Sequence, residues 1–150
     1  MLLVLGLVLV ALTLAAGMEN QRHTLEADMM SPVHTWVQVG RAVVMAEVAD
    51  TPALQTRGLS GRAGLAEGEG MLFVFEEEGL RGIWMKDMRF AIDIIWAKGD
   101  GTVVTIKENA KPESYPEAFY PSEPALYVLE VPAGFAVKAG VGVGDKIVVQ

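Results

Sequence analysis

The chain opens with eighteen uncharged residues, almost all of them apolar. The apolar stretch from Leu2 to Ala16 falls short of the about 20 residues that a helix needs to cross a bilayer. It has the length of the hydrophobic region of a signal peptide, and small residues follow at Ala15 and Gly17, as at a cleavage site. The pattern predicts a signal peptide or an N-terminal membrane anchor over residues 1–17, with a buried core helix as the alternative.

Signal peptides usually begin with a basic segment, but here Leu2, Leu3 and Val4 follow Met1 directly. Either the true start codon lies upstream or the segment stays attached as an anchor. Residues 18–34 are polar and mixed in charge, which is typical of a flexible tether. We therefore expect the protein to be exported to the periplasm or the cell exterior. If the leader is not cleaved, it anchors the protein in the inner membrane, and no other membrane contact is expected.

From residue 35 onward, short apolar runs alternate with Gly, Pro and charged residues, a pattern that predicts a single β-rich domain over residues 35–150. Thr35–Val39 and Val43–Val48 are separated by Gly40 and Arg41, which is the spacing of a hairpin. Further strands are predicted at Met71–Phe75, Ile83–Met85, Ile92–Ala97, Thr102–Lys107, Tyr127–Val131 and Lys146–Val149.

Helical signals are few. Thr51 is suited to cap a helix that starts at Pro52 and ends at Gly58, and Phe135–Ala139 is long enough for one helical turn. Four prolines between residues 109 and 124 predict a long irregular loop. The fold class expected is α+β and mostly β: a small bent antiparallel sheet or barrel-like domain of seven or eight strands with one or two short helices.

Composition excludes several classes of function. The net charge of −7 opposes binding to nucleic acid and to anionic lipid. No Cys is present, which excludes disulfides and lipid attachment through cysteine. The two histidines, His23 and His34, lie in the tether, so neither a His-based triad nor a zinc site is expected. No glycine-rich motif stands between a strand and a helix as in a dinucleotide site, and no cofactor or metal is expected.

Asp93 interrupts the most apolar strand, where Ile92, Ile94 and Trp96 share the opposite face. A carboxylate in such a place is costly unless it is paired or hydrogen-bonded. Two interpretations stay open. Asp93 either accepts backbone N–H groups or pairs with a nearby cation, Arg57 or Lys86, as a structural group, or it faces a ligand.

Other candidate residues also have two interpretations each. Lys86 is either a solvated cation in a turn or a cation in a cleft beside Trp84. Arg57 either stabilises the end of the short helix or orients a carboxylate. Glu130 is either an outward-facing strand residue or, if the strands adjoin, the partner of Asp93 in an acid/base pair.

The proline-rich loop carries three aromatic residues, Tyr115, Phe119 and Tyr120. They either cover a pocket as a lid or pin the loop to the domain. The methionines at positions 71, 85 and 88 are expected to fill the core.

Several of these segments occur in a recognisable order, namely Arg57–Leu59, Gly70–Phe75, Trp84–Asp87, Ile92–Ile95, Tyr120–Ser122, Ala125–Glu130 and Gly144–Asp145. Over residues 43–149 the chain resembles the prokaryotic family called domain of unknown function 192. The resemblance implies a compact, mostly β, barrel-like domain, often behind a signal peptide or anchor, and it implies no reaction. The family usually has Asn where this chain has Asp87, and Pro where it has Ala91.

Three functions fit the sequence. The first is a non-enzymatic exported module that binds a small polar ligand or an envelope polymer, with Arg57, Trp84, Lys86, Asp93, Tyr120 and Glu130 as candidate contacts. The second is an enzyme that uses Asp93 and Glu130 for acid/base chemistry, so catalysis is left undecided. The third is an interaction domain in which these groups are structural.

Overall fold

The computed structural model describes residues 32–150, so the predictions for the leader, and for the tether up to residue 31, lie outside it. Nine strands are formed by the described residues. They are β1 (His34–Val39), β2 (Ala42–Ala49), β3 (Glu69–Gly79), β4 (Ile83–Trp84), β5 (Ile92–Ala97), β6 (Val103–Ala110), β7 (Ala118–Phe119), β8 (Ala125–Pro132) and β9 (Ile147–Val149). The helices are α1 (Pro52–Arg57), α2 (Phe135–Ala139) and a single 3₁₀ turn, Pro112–Ser114.

The predicted first hairpin and the predicted helix are both confirmed. Strands β1 and β2 pair in antiparallel register. The Thr51 side chain caps α1 by accepting a hydrogen bond from the Leu54 backbone N–H at 3.3 Å. Gly58 ends the helix with a positive φ of 49°, a conformation that glycine adopts without strain.

Seven strands form one sheet in the order β6-β5-β8-β3-β2-β1-β9, and β4 pairs with β7 in a separate two-stranded sheet. The neighbours β2 and β3 run parallel, unlike the predicted antiparallel arrangement, because α1 and the loop after it return the chain to the same end of the sheet. The two edges of the sheet meet at one end, where Thr102 bridges Lys146. The sheet is therefore curled and barrel-like, which confirms the expected fold class.

The curled sheet has a core on each face. The inner core contains Leu72, Ile95, Leu129 and their neighbours. The outer core contains Met71, Ile94 and Trp96, and it is covered by Leu54 of α1, Ile83 of β4 and Phe119 of β7. The predicted alternation of β5 is confirmed, because Ile94 and Ile95 lie in different cores.

Strands β3 and β6 are longer than predicted, and β7 was not predicted. Strand β3 continues to Gly79, which pairs with Ala125 after a register shift, and β6 continues to Ala110, which pairs with Ile92. The proline-rich loop contains β7, held by β4. The ends of these strands are set by pairing with residues distant in the sequence, which the local sequence does not reveal. Within the described residues, none of the helices is both long and apolar enough to cross a membrane.

Candidate functional site

Two carboxylates share the outer face of the sheet. Met71 of β3 pairs with Glu47 of β2 on one side and with Glu130 of β8 on the other. Directly paired residues project to the same face, and Met71 belongs to the outer core. Glu47 and Glu130 therefore project beneath α1 and the segment that follows it, with Cα atoms about 10 Å apart, two strand spacings.

Glu47 is buried, with 5% of its surface exposed, and two arginines face it. The Arg62 guanidinium donates to Glu47 Oε2 at 2.6 Å, and Arg57 Nη2 lies 3.9 Å from Oε1. Arg57 thus stands in the last turn of α1, as its helix-end interpretation requires. It lies within ion-pair range of Glu47 but donates no hydrogen bond to it, so orientation of a carboxylate by Arg57 stays a prediction. The second oxygen, Oε1, accepts no hydrogen bond.

Glu130 is buried, with 4% exposure, so the expectation of an outward-facing carboxylate is wrong. The outer face of β8 is not open to solvent at this point, because α1 and the following loop cover it. Burial raises the pKa of Glu130 to about 8, against the lowering effect of the Arg62 charge. Glu130 is therefore mostly uncharged at neutral pH, and its Oε2 has no hydrogen-bond partner.

A small pocket lies over Glu130. Its volume is about 60 Å³, and it is bounded by the end of α1, the residues after it and β4. The polar side chains that line it belong to Gln55, Thr56, Arg57, Ser60 and Glu130, and the apolar ones to Leu59, Phe73, Ile83, Trp84 and Met88. Arg57, Trp84 and Glu130 are thus three of the predicted site residues that the fold brings together.

Trp84 stands at the rim of this small pocket with 48% of its surface exposed. It also borders an open groove of about 460 Å³, which is lined as well by Phe75, Leu80, Arg81 and Tyr120. Tyr120 is 64% exposed and packs against Gly82, where a Cβ atom would come within 2.6 Å of the tyrosine ring. Trp84 and Tyr120 therefore line one groove.

The turn after Trp84 is tied to the segment after α1. Ser60 Oγ donates to the Lys86 carbonyl at 2.8 Å, and the Gly61 N–H donates to the Asp87 carbonyl at 2.9 Å. The Lys86 ammonium lies 5.7 Å from the centre of the Trp84 ring, within the range of a cation–π contact. Lys86 is exposed beside Trp84, which fits the interpretation of a solvated cation in a turn. It does not line the two pockets that Trp84 borders, so a place in a cleft is not observed.

Asp93 lies apart from this group. It is fully buried and accepts three backbone hydrogen bonds, from Asn109 at 2.8 Å, Gly134 at 3.1 Å and Ala136 at 2.9 Å. The structural interpretation by backbone N–H groups is confirmed, and a pairing with Arg57 or Lys86 is not observed. The interpretation of Asp93 as a ligand-facing group is wrong, because both oxygens are occupied and no surface is exposed.

The proposed acid/base pair of Asp93 and Glu130 is also wrong. Asp93 pairs with Val131, whereas Glu130 pairs with Ile94. Val131 belongs to the inner core and Ile94 to the outer core. The two carboxylates therefore lie on opposite faces of the sheet and cannot act on one substrate.

The aromatic residues of the proline-rich loop divide between the two roles considered for them. Phe119 packs against the outer core and pins the loop. Tyr115 stays exposed and meets the Trp84 ring edge-on, with 5.9 Å between ring centres. The expected core methionines are confirmed, because Met71 and Met85 are buried and Met88 packs against them.

A larger groove lies elsewhere. It measures about 530 Å³ and is lined by residues of β2, α2 and the loops beside them. Its walls are mostly apolar, and its two charged residues, Glu67 and Lys138, pair with each other. None of the predicted site residues borders it. Among residues 32–150, no three His, Asp or Glu side chains come together as metal ligands would.

Sequence reasoning missed Glu47 and Arg62. Glu47 stands inside the apolar run Val43–Val48, so the criterion that singled out Asp93 would have found it. Arg62 lies in a glycine-studded loop with no regular pattern. Its pairing with Glu47 depends on the path of the loop, and no local signal predicts it.

Comparison with known proteins places the chain among uncharacterised relatives. Residues 35–149 match the model of the domain of unknown function 192 family, described as "Uncharacterized ACR". A crystal structure from Sinorhizobium meliloti 1021, described as a candidate transcription regulator, is 34% identical with a TM-score of 0.75, over 80% of this chain and 96% of that one. A protein of unknown function from Novosphingobium aromaticivorans DSM 12444 is 35% identical with a TM-score of 0.71, over 78% and 84%. No curated protein matches.

Proposed function

The chain belongs to the domain of unknown function 192 family (DUF192), and we propose that it is an exported, non-enzymatic module that binds a polar envelope polymer, a glycan segment, across Trp84. The observation that carries the proposal is the position of Trp84. Its half-exposed ring borders both the small polar pocket and the open groove. A ligand of several units can therefore lie along the groove, stack on Trp84 and place one polar group in the pocket.

The surroundings of Trp84 suit a polar ligand with apolar ring faces. Leu80, Tyr115 and Tyr120 are exposed beside it, at 59%, 44% and 64%. Aromatic rings of this kind supply contact area at little cost in conformational entropy. Arg57, Ser60 and Glu130 supply the few polar groups that fix orientation.

Export is supported by the uncharged apolar opening of the sequence. Nucleic acid is not proposed as a partner. The regulator description belongs to the Sinorhizobium protein, and the net charge of −7 of this chain opposes contact with a phosphate backbone.

Differential scanning fluorimetry on protein purified from cells that express the full chain tests the proposal. The ligands are soluble β-linked oligosaccharides, with and without N-acetyl groups, and short peptides as the other envelope chemistry. We expect a saccharide to raise the melting temperature of the wild-type protein and of Trp36→Ala, but not of Trp84→Ala. Trp36 is the matched control, since it is 49% exposed and lies on β1, away from both pockets.

The absence of any Trp84-dependent shift across the whole set would contradict the binding role. The remaining function would then be that of an interaction domain in which the polar groups are structural.

A further inference from the structure

The pocket under Trp84 contains an unsatisfied polar atom. Glu130 is 96% buried, since 4% of its surface is exposed, and its Oε2 has no partner. An unpaired buried polar group is unfavourable, because it has lost its hydrogen bonds to water and gained none in the protein. A ligand group that hydrogen-bonds to Glu130 recovers this cost, so the pocket selects for a group that complements it.

An uncharged carboxyl group has one O–H donor and one carbonyl acceptor side by side. A carboxamide carbonyl accepts a hydrogen bond from the carboxyl O–H, and in a secondary amide the N–H points the other way and is left for other partners. A hydroxyl can also pair with the carboxyl group, but it has no methyl group to place against an apolar wall. An anion is not favoured, because Arg57 and Arg62 already face the Glu47 carboxylate.

The size of the pocket restricts the amide further. Its volume of about 60 Å³ leaves room for a small group and not for a sugar ring. A main-chain amide is followed by further units of the polymer on both sides, so it needs a pocket that is open at both ends. An amide in a side group can end inside a closed pocket. Leu59, Phe73 and Ile83 line the pocket and offer an apolar wall for a terminal methyl group.

We propose that the pocket binds the acetamido group of an N-acetylated sugar whose ring stacks on Trp84, with the Glu130 carboxyl group donating to the acetamido carbonyl. This inference rests on the proposed function and narrows its ligand class to N-acetylated glycans. Glu130 is then a specificity-determining residue, and Trp84 supplies contact area that any sugar can use.

The charged groups near Glu130 are few. Glu47 faces it from β2, Arg57 from α1 and Arg62 from the following loop, while the paired positions of β3 and β5 are Met71 and Ile94. Lys86 lies at the Trp84 ring. Because the other charged groups are the same in the wild-type protein and in variants at residue 130, a loss of binding above pH 8 that depends on residue 130 reports the ionisation of Glu130.

Isothermal titration calorimetry with two trisaccharides tests the inference. One is the β-1,4-linked trimer of N-acetylglucosamine and the other is the β-1,4-linked trimer of glucose. At pH 7 we expect the N-acetylated trimer to bind the wild-type protein at least about tenfold more tightly, in line with one well-formed hydrogen bond to a buried group. Between pH 7 and pH 9 this advantage falls by about tenfold, as the donor is lost.

Variants at residue 130 separate recognition from folding. Glu130→Gln keeps an uncharged donor and acceptor, so it retains the preference and removes the pH dependence. Glu130→Leu binds both trimers within about twofold of each other, and its fold is checked by far-UV circular dichroism, since the outer-core residues Met71 and Ile94 beside position 130 are apolar. Glu76→Gln, a change at an exposed carboxylate on β3, behaves as wild type.

Failure of the inference differs from failure of the proposed function. Equal affinity for both trimers, lost in Trp84→Ala, overturns acetamido recognition and leaves the glycan-binding role in place. Binding of a peptide instead of either trimer, again through Trp84, overturns the inference and leaves a binding module. The absence of all Trp84-dependent binding overturns both.

Discussion

Asp93 and Glu130 lie on the adjacent strands β5 and β8, yet their hydrogen bonding differs. Asp93 faces the inner core and receives three backbone N–H groups from β6 and the start of α2. Glu130 faces the outer core, where Oε2 has no donor at all. One carboxylate is therefore a structural group, and the other is available to a ligand.

Asp93→Asn is expected to lower the free energy of unfolding by about 2–4 kcal/mol, because the new amide N–H₂ group faces backbone N–H donors that lose their acceptor. Urea unfolding followed by far-UV circular dichroism measures the change. Asp50→Asn, at an exposed position between β2 and α1, is the control. A value for Asp93→Asn within 0.5 kcal/mol of wild type, roughly the scatter for surface changes, would contradict the capping role.

Glu130 makes stability depend on pH. Its pKa rises from 4.5 in the unfolded chain to about 8 in the folded protein, so the folded state holds the proton more tightly. The stabilisation is complete below pH 4.5 and declines as the pH rises toward 8, by at most about 1.4 kcal/mol per pH unit.

Glu130→Gln removes this dependence because the amide does not ionise. The melting temperature of the variant relative to wild type should rise between pH 5 and pH 8, by about 2–4 °C for each kcal/mol. Differential scanning calorimetry at the two pH values measures the difference, and other ionisable groups cancel in the comparison. A difference that does not change with pH would show that Glu130 is charged in the folded protein.

At the scale of elements, the turn after β4 holds the site together. Asp87 has a positive φ of 55°, a conformation that Asn and Asp tolerate better than other non-glycine residues. Asp87 therefore fits this turn at little conformational cost. The Asp87 carbonyl also accepts the hydrogen bond from Gly61, so the backbone geometry here fixes the segment after α1.

Asp87→Val should destabilise the protein by about 1–2 kcal/mol, because a β-branched residue is strained at positive φ. Asp87→Asn should leave the free energy of unfolding unchanged. Thermal unfolding of the two variants provides the comparison. Equal stability of the valine and asparagine variants would show that the turn does not adopt this conformation.

Elements with local signals were predictable and those with distant partners were not. Thr51, Pro52 and Gly58 carry the whole information for α1 within a few residues. The end of β3 depends on Gly79 finding Ala125, and β7 exists because Ile83 pairs with Phe119. In the site, Arg57, Trp84 and Glu130 could be singled out from the sequence by residue type. The sequence does not show that Glu130, and not Asp93, lies on the same face as Arg57 and Trp84, because this depends on the strand order of the sheet.

At the scale of the whole molecule, the curled sheet is closed where β6 and β9 meet. The Ile147 N–H donates to the Gly101 carbonyl at 2.8 Å, and the Val103 N–H donates to the Asp145 carbonyl at 2.8 Å. A Cβ atom on Gly101 would lie 2.2 Å from the Ile147 carbonyl oxygen, at a φ of +83°. Only glycine fits here, because the two edges approach so closely.

Gly101→Ala is therefore expected to cost about 3 kcal/mol, from the clash and the strained backbone together. Gly142→Ala is the matched control, since a Cβ atom there meets nothing within 4 Å and no positive φ is involved. Urea unfolding of the two variants measures the difference. Equal loss, or no loss, would contradict closure of the sheet at this end.

The three tryptophans occupy three different environments in the molecule. Their indole N–H signals therefore provide a direct spectroscopic test of glycan binding at Trp84. Trp84 borders the proposed site, Trp36 is exposed on β1, and Trp96 is buried in the outer core. In ¹H–¹⁵N correlation spectra of the protein, titration with the N-acetylglucosamine trimer should move the indole N–H signal of Trp84 and leave those of Trp36 and Trp96 in place. A titration to millimolar trimer that leaves the Trp84 signal unchanged, or that moves Trp36 as much, would contradict the account.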